Sequence, residues 1–238
     1  MKQTDSTIWA GMKRRTLRTR TKQFLYKAMH GTQKVGEYWR HLGDSAPREF
    51  CSVCRTTESM EHILTHCQAT LPRLIWTLAK DLWPHDQIPW LEISLGIILG
   101  SGTITLPPAE PQKTANQQES THQRPSIRGA GCLFQILISE AAYLIWVLRY
   151  ERVVREPPRT HTVNEIEARW FGAINTRLTQ DKLMATRIKR NEQSIRLVKE
   201  TWEPALKQSL DIPNDWIYNR EVLVGRRIEH LALEGDML

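Results

Sequence analysis

A chain of 238 residues is long enough to bury a sizeable core, as one large domain or two modest ones. Hydrophobic residues at 40% and charged residues at 25% are an ordinary globular balance, and 12 glycines and 12 prolines are too few for a wholly disordered chain. The formal charge of +7 suits a polyanionic partner such as nucleic acid, although it does not require one.

Met1–Ala10 is polar apart from one Ile-Trp pair and has no apolar core of a secretory signal. The expected location is therefore intracellular, nuclear or cytoplasmic rather than secreted. Residues 11–22, GMKRRTLRTRTK, carry Lys13, Arg14, Arg15, Arg18, Arg20 and Lys22 with no acid among them. Such a run is either a solvated helix face or an arm that contacts phosphates. Phe24, Leu25, Ala28 and Met29 then recur at helical spacing, and Gly31 can end that helix in a left-handed conformation. Val35–Leu42, with Tyr38 and Trp39, reads as a short second helix. Ser59–Cys67 reads as helical, and after Pro72 a stripe of Leu74, Ile75, Leu78, Ala79 and Leu82 runs to Trp83-Pro84. Residues 88–99, IPWLEISLGIIL, fit a helix or a buried strand equally.

Composition changes between Ser101 and Arg128, where Pro107, Pro108, Pro111 and Pro125 are mixed with Gln, Thr and Ser. A flexible linker is expected there. Beyond it, Cys132–Tyr150 approaches the length of a membrane span, but Gln135, Ser139 and Glu140 sit in its middle. The expectation is a buried core helix and no membrane. Thr162-Val-Asn-Glu165 has the spacing of a capping box and precedes Ile166, Trp170, Ile174 and Leu178 on one helical face. Residues 180–208 form another helix-favouring run, and the tail should dock through Trp216 and Ile217.

The most informative pattern is Cys51-x2-Cys54-x7-His62-x4-Cys67. Zinc takes four sulfur or nitrogen ligands in a tetrahedron, and a CxxC turn places two thiolates around one metal. Three thiolates and an imidazole leave no coordination position open, so a structural rather than catalytic zinc is expected. His66 competes with His62 for the fourth place, but it adjoins Cys67 and would crowd two ligands onto neighbouring positions. Cys132 lies far from the cluster and reads as core packing.

CSVCRTTESMEHILTHC resembles the zinc-binding domain at the C-terminal end of non-LTR retrotransposon reverse-transcriptase polyproteins, which pairs a CxxC with an ES-x-x-H helix start and a closing Cys. Here those are Cys51, Cys54, Glu58-Ser59, His62 and Cys67. The preceding FLYKAMHGTQKVGEYW also resembles that family, and ISEAAYLIWVLRYERV and RWFGAINTRLTQDKLMA are similar to the tail that follows the zinc site in its fungal, particularly basidiomycete, members. The resemblance extends from about Thr16 to about Trp216. It implies a place downstream of ribonuclease H in such a polyprotein, with reverse transcriptase or ribonuclease H domains as possible partners. It does not bring their activities with it. Asp5, Glu37, Asp44 and Glu49 are the only acids in the first fifty residues, and no Tyr-x-Asp-Asp signature is present.

For nucleic acid, the candidate contacts are Lys13, Arg14, Arg15, Arg18, Arg20 and Lys22, with Lys34 and a stacking Trp39 beside Tyr38. A second basic stretch, Arg177, Lys182, Arg187, Lys189 and Arg190, is interleaved with Leu183, Met184 and Ile188 and reads first as an amphipathic helix. Asp81 and His85 lack a nucleophile or a glycine-rich cradle, and Gly96–Gly102 matches no phosphate loop. The expected architecture is mostly α: a zinc-stabilised module over residues 11–100, a linker over 101–128 and a helical region over 129–238. The expected function is a non-catalytic, zinc-binding module that holds RNA or DNA. The alternatives are a structural or protein-interaction module and a ribonuclease H-like fragment.

Overall fold

Why each helix forms, and which face it buries, can be followed in a computed structural model that describes residues 5–107, 126–206, 212–219 and 221–225. The described chain is mostly helical, and its β pairing is confined to isolated bridges at Phe50–Thr57 and Leu206–Val224. Helix α1 (Asp5–Met12) leads through a turn into α2 (Thr19–Met29), whose buried face is Thr21, Phe24 and Leu25. Helix α3 (Thr70–Asp81) buries Leu71, Ile75, Leu78 and Ala79 at the expected helical spacing, with Pro72 tolerated in its first turn.

The ambiguous 88–99 segment is not a strand. Only α4 (Leu95–Leu99) is regular, started by the Ser94 hydroxyl accepting from the Ile97 N–H, while Ile88 is buried in irregular chain ahead of it. The second helix expected over Val35–Leu42 is a 3-10 turn at Gly36–Trp39. Gly36 sits at φ +54, and a Cβ there would lie 2.2 Å from the Glu58 carbonyl oxygen, so backbone approach rather than helix propensity shapes this stretch.

Helix α5 (Ile127–Val153) is the column of the fold. At 27 residues it spans about 40 Å, and it is started by the Ser126 hydroxyl accepting from the Gly129 N–H. It meets α2, α3, α4, α6 (Val163–Leu183) and α7 (Glu192–Trp202). Among the described residues it is the one helix long and apolar enough to cross a membrane, and 72% of its most apolar stretch is buried inside the protein. Phe24 of α2 packs on Tyr143 and Trp146 of α5, each at 5.9 Å between ring centroids.

The Thr162 hydroxyl accepts from the Glu165 N–H and starts α6, which buries Ile166, Trp170, Ile174 and Leu178 as its pattern requires. A wide helical turn at Met184–Lys189 and a left-handed Arg190 (φ 49) then redirect the chain into α7. Trp216 and Ile217 are buried, as expected of the tail.

Both ends of the expected 101–128 linker are built into the fold. Ser101, Gly102 and Leu106 are buried, and a Cβ on Gly102 would lie 2.2 Å from the Gly11 carbonyl oxygen, which places residues 101–103 hard against α1. Ile127 and Arg128 already belong to α5, and residues 108–125 lie outside the described residues. One hydrophobic cluster runs from Leu17 to Val224 and draws on the chain on both sides of that segment. A small separate cluster joins Cys51, Cys67 and Ala69, with Cys54 against it.

Candidate metal centre

The CxxC segment folds as a tight knuckle. The Cys51 N–H donates to the Thr56 carbonyl, the Arg55 N–H returns to the Cys51 carbonyl, both at 2.9 Å, and Arg55 takes a positive φ of 60° to close the loop. Ser59 opens the next turn, its hydroxyl accepting from the His62 N–H at 3.0 Å. That turn is not α-helical. His62–His66 is a π-helical turn, with the Cys67 N–H donating to the His62 carbonyl five residues back at 2.7 Å. In an α-helix, residues five apart point about 140° away from each other. Closing the turn one residue wider brings Cys67 back to the side of His62.

The ligand atoms of Cys51, Cys54, His62 and Cys67 all lie within 4.8 Å of one another. The Sγ atoms of Cys51 and Cys67 are 3.7 Å apart. That is far beyond a disulfide. It matches the separation of about 3.8 Å between two sulfurs held tetrahedrally at a Zn–S distance of about 2.3 Å. Backbone N–H groups also face the sulfurs, Cys54 toward Cys51 at 3.5 Å and Gln68 toward Cys54 at 3.3 Å. His62 Nε2 is buried and makes no hydrogen bond, whereas His66 is exposed and lies outside the group. An orphaned imidazole nitrogen facing thiols fits a metal ligand.

The thiols are electrostatically unequal. Burial raises the Cys51 pKa, but the Cys54 N–H and then His62 outweigh it and bring it to about 7. Burial pushes Cys67 up to about 12, against a hydrogen bond from Ala69 and with Cys51 adding to the rise. Without a cation one thiolate discourages the next, and a divalent metal removes that penalty.

The knuckle is anchored to the rest of the fold through Glu58, which forms a buried ion pair with Arg149 of α5. The Trp76 indole N–H donates to the Leu64 carbonyl at 2.7 Å and joins α3 to the same module. Cys132 is half-buried on α5, away from the centre, with burial raising its thiol pKa.

The basic residues divide into two sets. Lys13, Arg14 and Arg15 are exposed in the turn between α1 and α2, and none makes an ion pair among the described residues. Arg18 instead turns inward, with Nε 3.3 Å from Glu140 Oε1 and an Nη2 bond to the Ala173 carbonyl at 3.1 Å. Arg20 reaches the same carboxylate at 3.5 Å and lies 5.1 Å over the Tyr143 ring. Lys22 is half-buried, and exposed Lys34 sits 5.4 Å over Tyr38. Trp39 is buried: its indole N–H donates to the Lys34 carbonyl and Arg48 lies 5.4 Å over its ring, which leaves Tyr38 as the exposed aromatic of that pair.

Reading the sequence missed that Glu140, Arg169 and Arg177 come together with the basic segment. The signal was present in Glu140, a lone acid inside an apolar helix, which requires a cationic partner when buried. Asp81 is exposed, and His85 packs on the edge of Trp83 at 4.7 Å. No family model matches the chain, and neither a curated protein nor a solved structure matches it.

Proposed function

We propose that this chain is a non-catalytic, zinc-organised nucleic-acid-binding module related to the C-terminal region of non-LTR retrotransposon polyproteins. The observation that carries the reading is the four-ligand centre, because the same residues, Cys51, Cys54, His62 and Cys67, carry the sequence resemblance. Three thiolates and one imidazole fill a tetrahedral zinc, so the metal fastens the knuckle to the π turn and offers no position for a reacting water. Exposed Lys13, Arg14 and Arg15 supply phosphate contacts, which give affinity without sequence reading. In a complete element the module would help to present template to the polymerase.

The test is a mobility-shift titration of the zinc-loaded protein with single-stranded RNA and duplex DNA across a salt series. Three phosphate contacts predict that log affinity falls with log salt at a slope of about −2 to −3. Undetectable binding of either polymer at the lowest salt removes the nucleic-acid reading. A second reading, a protein-docking module, draws on the exposed apolar side chains Leu183, Met184 and Ile188.

A further inference from the structure

A groove of about 910 Å³ opens between residues 15–20, α5 and α6. Arg15, Arg18, Arg20, Arg169 and Arg177 line it, and Glu140 and Asp181 are the acids among its described lining residues. Two of the arginines are already neutralised. Arg169 forms a bidentate pair with Glu151 at 2.6 and 2.9 Å. Arg177 pairs with Asp181 at 3.0 and 3.1 Å, and the same carboxylate also accepts from the Trp202 indole.

Arg15, Arg18 and Arg20 are then left with one carboxylate, that of Glu140. Its contacts are weak ones. Arg18 Nε is buried at 3.3 Å without hydrogen-bond geometry, Arg20 stands at 3.5 Å, and Arg15 makes no ion pair among the described residues. Burial first, and the Arg20 and Arg177 charges after it, hold the Arg18 pKa below its usual value despite Glu140. Arg18 and Arg20 share one carboxylate and exposed Arg15 has none, which leaves a local excess of positive charge.

We propose that this groove seats a phosphate group carried by a nucleotide, with the sugar and base lying along the apolar wall of Leu144, Val147 and Met184. The geometry selects phosphate over carboxylate. A planar carboxylate is satisfied by one guanidinium in a fork, whereas a tetrahedral phosphate directs its non-bridging oxygens, three in a monoester and two in a diester, toward several guanidiniums at once. Thr19 and Gln180 add neutral hydrogen-bonding groups to the lining. The inference rests on the nucleic-acid reading and gives it a seat: Lys13 and Arg14 would track the backbone outside, while Arg15, Arg18 and Arg20 hold one phosphate within. The phosphate could belong to a polynucleotide or to a free mononucleotide, and the test separates these sources.

The full zinc-loaded chain would be titrated by fluorescence anisotropy with a labelled 12-nucleotide RNA, and by calorimetry with uridine monophosphate. Arg18 and Glu140 are buried as a pair, so substituting either risks the fold. The variants are therefore Thr176→Glu, which sets a carboxylate in the groove from an exposed position of α6, and Arg15→Ala. Unchanged thermal melting of both is the folding control. The expected result is at least about a tenfold loss of affinity for both ligands in Thr176→Glu and a smaller loss in Arg15→Ala. Lys13→Ala with Arg14→Ala should weaken RNA alone. If RNA binds and depends on Lys13 and Arg14 but not on Thr176 or Arg15, the nucleic-acid reading stands and the groove is overturned. If the mononucleotide binds and Thr176→Glu abolishes it while RNA fails to bind, the groove stands and the nucleic-acid reading falls. Binding of neither ligand overturns both.

Discussion

Replacing Glu58 by alanine should destabilise the protein by about 3–5 kcal/mol, because it leaves the Arg149 guanidinium buried without its counter-charge. The two side chains are only 2% and 3% exposed, so solvent cannot take over from the missing carboxylate. Arg149 has little else to lean on. Its Nε and Nη1 are buried without hydrogen bonds, and the remaining contact is with the Trp146 ring at 5.5 Å. For a domain of this size each kcal/mol lowers the melting temperature by about 2–4 °C, so a drop of about 6–20 °C is expected. Thermal unfolding followed by circular dichroism reads it. The double replacement Glu58→Leu with Arg149→Met removes both charges and should recover most of the loss, because an apolar pair of similar volume avoids the cost of burying ions. A single variant that melts within about 2 °C of wild type would refute the buried pair. A double variant as unstable as the single one would refute the uncompensated-charge explanation. The pair lies between the metal module and α5, so the single variant should also exchange zinc faster.

Metal analysis of the purified chain should give one zinc per protein, with loss of that zinc in Cys54→Ser and His62→Ala and retention in His66→Ala. Equal zinc in all four proteins would sink the ligand assignment. A pH effect is expected at Glu151, whose carboxyl is held below its ordinary value of 4.5, first by the Arg169 hydrogen bond and, after an opposing burial effect, by the Arg169, His161 and Arg159 charges. The folded-state pKa is depressed, so the stabilisation is complete above the unfolded value and is lost as pH falls through the folded one. Urea titrations should therefore show Glu151→Gln less stable than wild type at pH 6, with the gap closing toward pH 3. A gap that stays constant across that range would contradict the assignment.

The parts of this protein legible in its sequence are those set by near neighbours. The CxxC turn, the Thr162 cap of α6 and the apolar stripes of α3 and α6 follow from periods and spacings of a few residues, and the structure has them. The buried character of α5 was also readable, because Glu140 in its middle disfavours a lipid environment. The choice between His62 and His66 came close to being legible, since neighbouring ligands crowd. The structure gathers His62 with the three cysteines through a π turn, whose five-residue closure a periodicity rule based on the α-helix does not anticipate.

What only the tertiary structure decided depends on residues 91 or more positions apart. The basic run 13–22 reads as one solvated face or arm, yet Arg18 turns inward to Glu140 while Lys13–Arg15 stay in solvent. Glu58 reads as part of a helix start, yet its carboxylate is committed to Arg149. The sequence by itself placed the candidate ligands and the long helices, because local geometry needs only local residues. The tertiary structure decided which charges are free to meet a partner, because a guanidinium is available or consumed according to the carboxylate that packing places beside it.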